Sequence, residues 1–282
     1  MSARVLDGKW VRDQILSELQ PRIARLPRRP GLAVVLVGDD PASAIYVRGK
    51  VKASESLGIY SEQITPPATI STEELLGIVE GLNERPEIDG ILVQMPLPKQ
   101  IESRRILVSI HPSKDVDGFH PYNVGNLVAG IPGPRPCTPA GILQLLKRYD
   151  IPIAGKHAVV IGRSDIVGKP MGMLLLHENA TVTICHSKTA DLAGECRRAD
   201  ILVAAIGRKW LVTSDFIKQG ATVIDVGMNR LPDGKVTGDV DPEAMKTEAG
   251  AYTPVPGGVG PLTIAMLMAN TVSAAEQHTC SV

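Results

Sequence analysis

Leu32-Ala33-Val34-Val35-Leu36-Val37, ended by the turn Gly38-Asp39-Asp40-Pro41, is the stretch on which the fold turns. An unbroken apolar run of this length reads as a strand buried on both faces. A helix pattern follows over Ala42–Leu57 and carries Tyr46-Val47-Arg48-Gly49-Lys50. Residues four apart share a helix face, so the Tyr46 phenol and the Lys50 amine are expected side by side. Strand, tight turn and helix make the βα step of an open α/β sheet, whose ligand crevices lie outside the carboxyl ends of the strands. An aromatic ring beside an amine at that place suits proton transfer. An amphipathic helix with a solvated lysine accounts for the same spacing, and both readings stand at this point.

The pattern repeats outward from this step. Strands are expected over Tyr60–Thr65 and Gly90–Gln94, and helices over Thr72–Asn83 and Glu102–Ile110. Ile131-Pro132-Gly133-Pro134-Arg135-Pro136-Cys137-Thr138-Pro139 stiffens the backbone and forbids a long helix, which marks a domain boundary. Beyond it the expected strands are Ala158–Ile161, Thr181–Cys185, Ile201–Ala205 and Thr222–Val226. A last helix is expected from Leu262 to Ala275, opened by Gly260-Pro261, because proline suits a first helical turn. Alternating strands and helices argue for parallel sheets covered on both faces, and 282 residues accommodate two such domains.

Composition narrows the function classes. Lys+Arg and Asp+Glu both number 30, and that balance argues against nucleic acid as a partner. Hydrophobic residues make up 44% and aromatics only 3%, so the core is expected to be aliphatic. The basic cluster Arg22, Arg25, Arg28 and Arg29 reads as a solvated helix end. The four cysteines and six histidines have neither disulfide-framework nor metal-site spacing, so no metal is implied. Met1-Ser2-Ala3-Arg4-Val5 has no apolar core for a leader and no segment is long enough to span a membrane. A cytoplasmic, reduced protein is expected.

His157-Ala158-Val159-Val160-Ile161 runs into Gly162-Arg163-Ser164-Asp165-Ile166-Val167-Gly168-Lys169-Pro170 and then a helix. Such a strand, glycine turn and helix bring a diphosphate against N–H groups at a helix start. Ser164 stands in place of the second glycine of the usual fingerprint, and the spacing to Gly168 is one longer, so a plain tight turn remains open. The next strand ends Ile184-Cys185-His186-Ser187-Lys188-Thr189 with no acid for a ribose 2′-hydroxyl. Arg163 and Ser187 instead suit a 2′-phosphate, so the expected cofactor is NADP rather than NAD. His186 is given no catalytic role.

Three further strings complete the reading: Gly90-Ile91-Leu92-Val93-Gln94-Met95-Pro96-Leu97-Pro98, Lys114-Asp115-Val116-Asp117-Gly118-Phe119-His120, and Pro256-Gly257-Gly258-Val259-Gly260-Pro261-Leu262-Thr263. With the Tyr46/Lys50 helix and the Gly162 turn, in this order from about Val5 to the last helix, the chain resembles bifunctional methylenetetrahydrofolate dehydrogenase/methenyltetrahydrofolate cyclohydrolase. The resemblance implies two α/β domains with a cleft between them. The first is a folate-binding catalytic domain with a parallel sheet over 1–139, against which the last helix, about 262–278, packs back. The second is a Rossmann-like NADP-binding domain over 140–282.

The resemblance also implies the site. Lys50, Tyr46 and Gln94 would be catalytic, and Tyr46, Asp117, Gly257, Gly258 and Gly260 would bind substrate. Gly162, Arg163, Ser164, Val167, Gly168 and Ser187 would bind NADP, and no metal is involved. Tetrahydrofolate derivatives would be the ligands and the enzyme a homodimer. Asp117 before Gly118 also fits a turn-stabilising acid, and the glycines also fit an ordinary loop.

Met95 and Leu262 depart from the usual residues but nearly conserve volume. Arg85 and Lys209 put local loop geometry in question. A short-chain dehydrogenase places its glycine turn before its Tyr/Lys pair, an order this chain reverses. An amino-acid-dehydrogenase-like protein has no use for the Asp117 loop. An NADP-binding regulatory module would have no use for Tyr46, Lys50, Gln94 and Asp117 together.

Overall fold

The computed structural model describes residues 3–280, so Met1-Ser2, the start of the stretch read above for a leader, lies outside the described residues. Two compact units divide the chain. One comprises the residues up to Asp13 with Pro136–Thr263; the other comprises Gln14–Arg135 with the residues from Ile264 on. The chain therefore crosses between them within α1 (Gly8–Ile23), after Arg135, and within α10 (Val259–Cys280).

In the second of these units β2 (Gly31–Val35) is the middle strand, with β3 (Tyr60–Ile64) and β4 (Gly90–Val93) parallel on either side. Every residue of β2 and β4 is buried, which is what a parallel strand covered on both faces demands. α2 (Pro41–Ser56) follows β2, α3 (Thr72–Glu84) follows β3, and α4 (Ser103–Ser109) and α5 (Pro121–Ala129) follow β4. α3 shows how local sequence places an element. Ser71 and Glu74 close a reciprocal capping box at its start, and Leu75, Val79 and Leu82 bury one stripe against Ala33, Val35 and Ile91. At its other end the Lys114 amine donates to the carbonyls of Leu82, Asn83 and Arg85, adding to the backbone N–H groups that Leu82 and Arg85 already accept and engaging the last turn of the helix. Arg85 itself pairs with Glu62 and Glu87, so this departure from the family pattern fits its surroundings.

A charged cluster ties the start of β4 to α10. Asp89 is fully buried; Arg28 grips it with two bonds of 2.7 Å, the Gly31 N–H donates at 2.9 Å, and the His278 ring lies 3.0 Å away. Burial alone would raise the Asp89 pKa, but the bonds from Arg28, His278 and Gly31 together hold it below the usual carboxylate range. Arg22 pairs with Glu276 and Ser273 on the same helix. The arginine cluster is thus not a solvated helix end: Arg22 and Arg28 are engaged in tertiary ion pairs that local sequence could not show.

Asp89→Ala should lower stability by roughly 3 kcal/mol, the low end for breaking a buried pair because Arg28 keeps partial access to water. A carboxyl with a depressed pKa stabilises above its unfolded value and loses that contribution as pH falls through the folded value. The difference between wild type and Asp89→Ala in urea melts should therefore be full at neutral pH and shrink below about pH 4. A difference that persists unchanged at pH 2 would rule out the ionised pair as its source.

The first unit carries a parallel sheet in the order β1-β11-β8-β7-β5-β6. Its strands are β1 (Arg4–Val5), β5 (His157–Ile161), β6 (Thr181–Cys185), β7 (Ile201–Ala204), β8 (Thr222–Asp225) and β11 (Ala251–Tyr252). A small antiparallel pair, β9 (Asn229–Arg230) with β10 (Val236–Thr237), follows β8. The helices are α6 (Cys137–Arg148), α7 (Gly168–His177), α8 (Leu192–Cys196) and α9 (Pro242–Glu248). From β5 the chain adds β6 on one side and β7 on the other, so the topological switch, and with it the ligand crevice, falls outside the carboxyl ends of β5 and β7.

The proline-dense stretch does not exclude helix throughout: α6 begins at Cys137 with Pro139 in its first turn, where a missing N–H leaves no bond unmade. The last helix is longer than expected, starting at Val259 and running to Cys280.

Candidate active site

α2 buries Ser43, Val47, Lys50, Ser54 and Leu57, a stripe at spacings of four and three. Lys50 is part of that stripe and only 8% exposed, so it is not a solvated lysine. Its Nζ donates to Gln94 Oε1 at 3.0 Å. Gln94 follows β4 directly: its backbone N–H donates to Val35 and prolongs the sheet, while its side-chain Nε2 donates to the Met95 carbonyl at 2.6 Å. With the amide's donor end so engaged, its oxygen is turned to the amine. Tyr46, one turn before Lys50, presents an exposed ring.

The loop after α4 sorts its charged residues by role. Ile91 donates to the Lys114 carbonyl, laying the loop beside β4. Lys114 caps α3, and Asp115, 2% exposed, accepts from the N–H groups of Gly118, Phe119 and His120 and from Asn123. Asn270 of α10 holds the Val116 and Arg135 carbonyls. Val116 packs where a side chain on Gly90 would collide with it.

Asp115 is therefore a turn-stabilising acid of this loop. Asp117 keeps part of its surface open while sitting deep among surrounding atoms, and burial pushes its carboxyl up to about 6. Lys50 opposes that rise and Asp115 adds to it, so Lys50 and Asp117 lie within electrostatic reach of each other. Lys50, Gln94 and Asp117 thus belong to one constellation within the three-stranded unit.

Gly257, Gly258 and Gly260 belong to the six-stranded unit. Gly257 has φ +109 and its carbonyl accepts from Gly8, while Gly258 donates to Pro254 and abuts Thr253. The folded chain alone accounts for both glycines. Among the described residues nothing crowds the position of a side chain on Gly260. A cavity of about 230 Å³ lies along this loop, with Lys9 and Asp225 among its lining residues.

At the switch point Gly162 has φ +127, and a Cβ there would strike the Ala205 carbonyl; one on Gly168 would strike the Gly162 carbonyl. Ser164 Oγ accepts from the Val167 and Gly168 N–H groups at 3.2 and 3.3 Å. Serine thereby closes the turn that a second glycine usually forms, and its own hydroxyl hydrogen remains available for a phosphate oxygen. Val167 is the residue before α7, while Arg163 and Ser187 are exposed. The His186 ring accepts the Lys188 N–H and its backbone bonds Thr189, so this histidine shapes the turn that presents Ser187. A tight glycine turn at a helix start, an arginine and a hydroxyl, with no acid ending β6, is a donor set that fits NADP.

Sequence reading passed over two buried acids. Asp225 ends β8 at 1% exposure and accepts from the N–H groups of Gly227, Asp239 and Val240. Burial pushes its carboxyl up to about 6 although those bonds oppose the rise. Asp239, fully buried, accepts from Ile206, Gly207 and Asn229. The available signal was an acid beside glycine at each place, Asp225-Val226-Gly227 and Gly238-Asp239.

Two family models match the chain: tetrahydrofolate dehydrogenase/cyclohydrolase, catalytic domain, over residues 6–117, and tetrahydrofolate dehydrogenase/cyclohydrolase, NAD(P)-binding domain, over residues 136–279. The chain is 64% identical to the bifunctional protein FolD of Solibacter usitatus, with 98% of each covered. Among solved structures it is similar to the bifunctional FolD methylenetetrahydrofolate dehydrogenase/cyclohydrolase of Campylobacter jejuni, with TM-score 0.95, 49% identity, and 98% and 99% of the two chains covered. It is also similar to the Trypanosoma brucei enzyme complexed with NADP cofactor and inhibitor, with TM-score 0.93, 39% identity and 98% of each chain covered.

Proposed function

Because the chain belongs to the tetrahydrofolate dehydrogenase/cyclohydrolase family, we propose that Lys50, held by Gln94, moves the proton in its hydrolytic step and that Asp117 anchors the pterin. The enzyme is bifunctional: it oxidises 5,10-methylenetetrahydrofolate to the methenyl cation with NADP and hydrolyses that cation to 10-formyltetrahydrofolate. The observation that carries the assignment is the 3.0 Å bond from the Lys50 amine to Gln94, beside a carboxyl whose ionisation Lys50 favours.

Lys50 takes a proton from the water that adds to the methenyl carbon and returns one to the ring nitrogen as the ring opens. Gln94 fixes the amine through its amide oxygen. Tyr46 offers its ring to the aminobenzoate. Asp117, once ionised, accepts two parallel N–H groups from the pterin edge. Gly257 and Gly258, with Gly260 in the first turn of α10, let the backbone come close to substrate.

NADP supplies the hydride acceptor when bound, and Gly162, Arg163, Ser164, Val167, Gly168 and Ser187 would hold it. We assign Gln14–Arg135, with the residues from Ile264 on, to the folate-binding catalytic domain and the residues up to Asp13 with Pro136–Thr263 to the NADP-binding domain; this corrects the expected bounds of 1–139 and 140–282, because β1 pairs with β11 in the six-stranded sheet. A cytoplasmic homodimer acting on tetrahydrofolate derivatives, with neither nucleic acid nor membrane as partner, fits the balanced charge; among the described residues no helix is long and apolar enough to cross a membrane.

The test is the formation of NADPH absorbance on adding 5,10-methylenetetrahydrofolate, run with NADP and with NAD. NADP should give the higher kcat/KM, and Arg163→Ala should reduce that preference by about tenfold, the low end for a charge-assisted bond at an exposed site. No reduced cofactor, NADPH from NADP or NADH from NAD, in either case would refute the activity. Equal use of NAD, or a preference untouched by Arg163→Ala, would mean that another group reads the 2′-phosphate.

A further inference from the structure

Asp239 sits where no sequence motif of the cofactor site points, yet its bonds lead to that site. Its Oδ2 accepts the N–H groups of Ile206 and Gly207 at 2.7 and 2.8 Å, the first two residues after Ala205. Ala205 in turn donates to Ile161 at 2.8 Å, and its carbonyl fills the space that a side chain on Gly162 would need. The loop after β7 therefore forms one wall of the switch point and the Gly162 turn the other. Further along, the Leu211 N–H donates to the Arg208 carbonyl and Trp210 bonds Gly238 and Thr237, but at its start Gly207 is exposed with φ +71. The buried carboxylate fixes that start from behind.

Asp239 is itself fixed on every side. Its Oδ1 accepts from Asn229 Nδ2 at 2.9 Å. Its backbone N–H donates to Asp225 at 2.9 Å and its carbonyl accepts from Val212 at 3.1 Å. The neighbouring glycines are dictated by this packing: a side chain on Gly227 would collide with Asp239, and one on Gly238 with Asp225. A fully buried acid whose bonds go to two successive N–H groups of an exposed loop is a strut for that loop.

We propose that Asp239 is a positioning residue for NADP, setting the Ile206–Gly207 backbone against the Gly162 turn so that the cofactor meets a preformed wall. The proposal rests on the reading of that turn as the NADP site. It adds a residue that touches neither cofactor nor substrate, and it separates the two activities: NADP-dependent oxidation needs the wall, whereas hydrolysis of the methenyl cation consumes no NADP.

Asp239→Asn keeps the shape of the residue. If the amide oxygen stays on Ile206 and Gly207, its NH₂ faces the NH₂ of Asn229, donor against donor. Asn229→Asp in the same chain restores the donor–acceptor pair with the roles exchanged, although it forfeits the bond of 3.1 Å that Asn229 Nδ2 also gives the Gly238 carbonyl, so the rescue is partial. Isothermal titration with NADP and both activity assays are run on wild type, Asp239→Asn and the double variant.

Asp239→Asn should raise the NADP Kd and the KM for NADP by about tenfold or more, with kcat changing less and the cyclohydrolase rate, measured without NADP, within about twofold of wild type. The double variant should recover part of the lost affinity. Unchanged NADP affinity in a folded Asp239→Asn protein overturns the proposal, as does a cyclohydrolase rate that falls in step with NADP affinity. Should Asp239→Asn not fold, Asn229→Ala decides: a several-fold weaker NADP affinity at constant cyclohydrolase rate supports the strut, and unchanged affinity overturns it. Failure of the wild type itself to bind NADP would instead refute the reading of the Gly162 turn.

Discussion

Lys50→Met should lose cyclohydrolase activity by at least ~100-fold, the lower bound for removing a positioned proton acceptor. The amine is the only ionisable group of the buried α2 stripe, and its bond to Gln94 aims it. Methionine fills similar volume with an adaptable side chain, so the protein should remain folded. Oxidation of 5,10-methylenetetrahydrofolate should fall much less, because hydride transfer needs positioning of two rings and no proton acceptor. Decay of methenyltetrahydrofolate, corrected for uncatalysed hydrolysis, measures the first effect and NADPH formation the second. Retention of most of the wild-type hydrolysis rate would remove Lys50 from the mechanism; equal loss of both activities would make it a binding or structural group.

Asp117→Ala should weaken folate binding by tens-fold to thousands-fold, corresponding to ~2–5 kcal/mol for a charge-assisted pair whose buried donors are left unmatched. Both activities should fall together, since one anchor serves both, while NADP affinity should hold. In its proposed role the carboxyl binds pterin when ionised, and burial has pushed it up to about 6. Folate affinity in the wild type should therefore weaken as pH falls through about 6, and Asp117→Ala should lack that inflection. The stability sign is opposite to that of Asp89: a carboxyl with a raised pKa holds its proton longer when folded, so its contribution to stability declines as pH rises from about 4 to about 6. Titration of a folate analogue and of NADP across this range settles the point. Unchanged folate affinity, or parallel loss of both ligands, would place the anchor elsewhere.

The parts of this protein that local chemistry encodes were legible in its sequence. β2, α2 and the strand–turn–helix at Gly162 follow from runs and spacings within a few residues, and their ends moved by only a residue or two. Lys50 and Gln94 meet because one lies on the helix after β2 and the other ends the strand paired with it.

What escaped depends on partners far along the chain. β1 and β11 are two residues each and exist only by pairing across most of the sequence. Arg28 and Arg22 read as solvent-facing until Asp89 and Glu276 are placed beside them. In Lys114-Asp115-Val116-Asp117 the two acids look alike. Asp115 is marked as structural only by the three backbone N–H groups that its loop folds onto it. Asp225 and Asp239, near glycines, resemble turn acids until burial shows them enclosed.

The loop that carries Asp117 is pinned from two sides, by Lys114 at the end of α3 and by Asn270 on α10. Freezing a mobile segment on ligand arrival consumes binding free energy through lost conformational freedom, and this loop has little such freedom left to lose. In the proposed role of this loop, affinity for a pterin is governed by the contacts themselves, and encounter rather than chain ordering sets how fast the complex forms. The same rigidity makes the loop a poor host for ligands of altered outline, because a bracketed backbone cannot reshape itself around them. Substrate discrimination here is a property of the frame as much as of the carboxylate it presents.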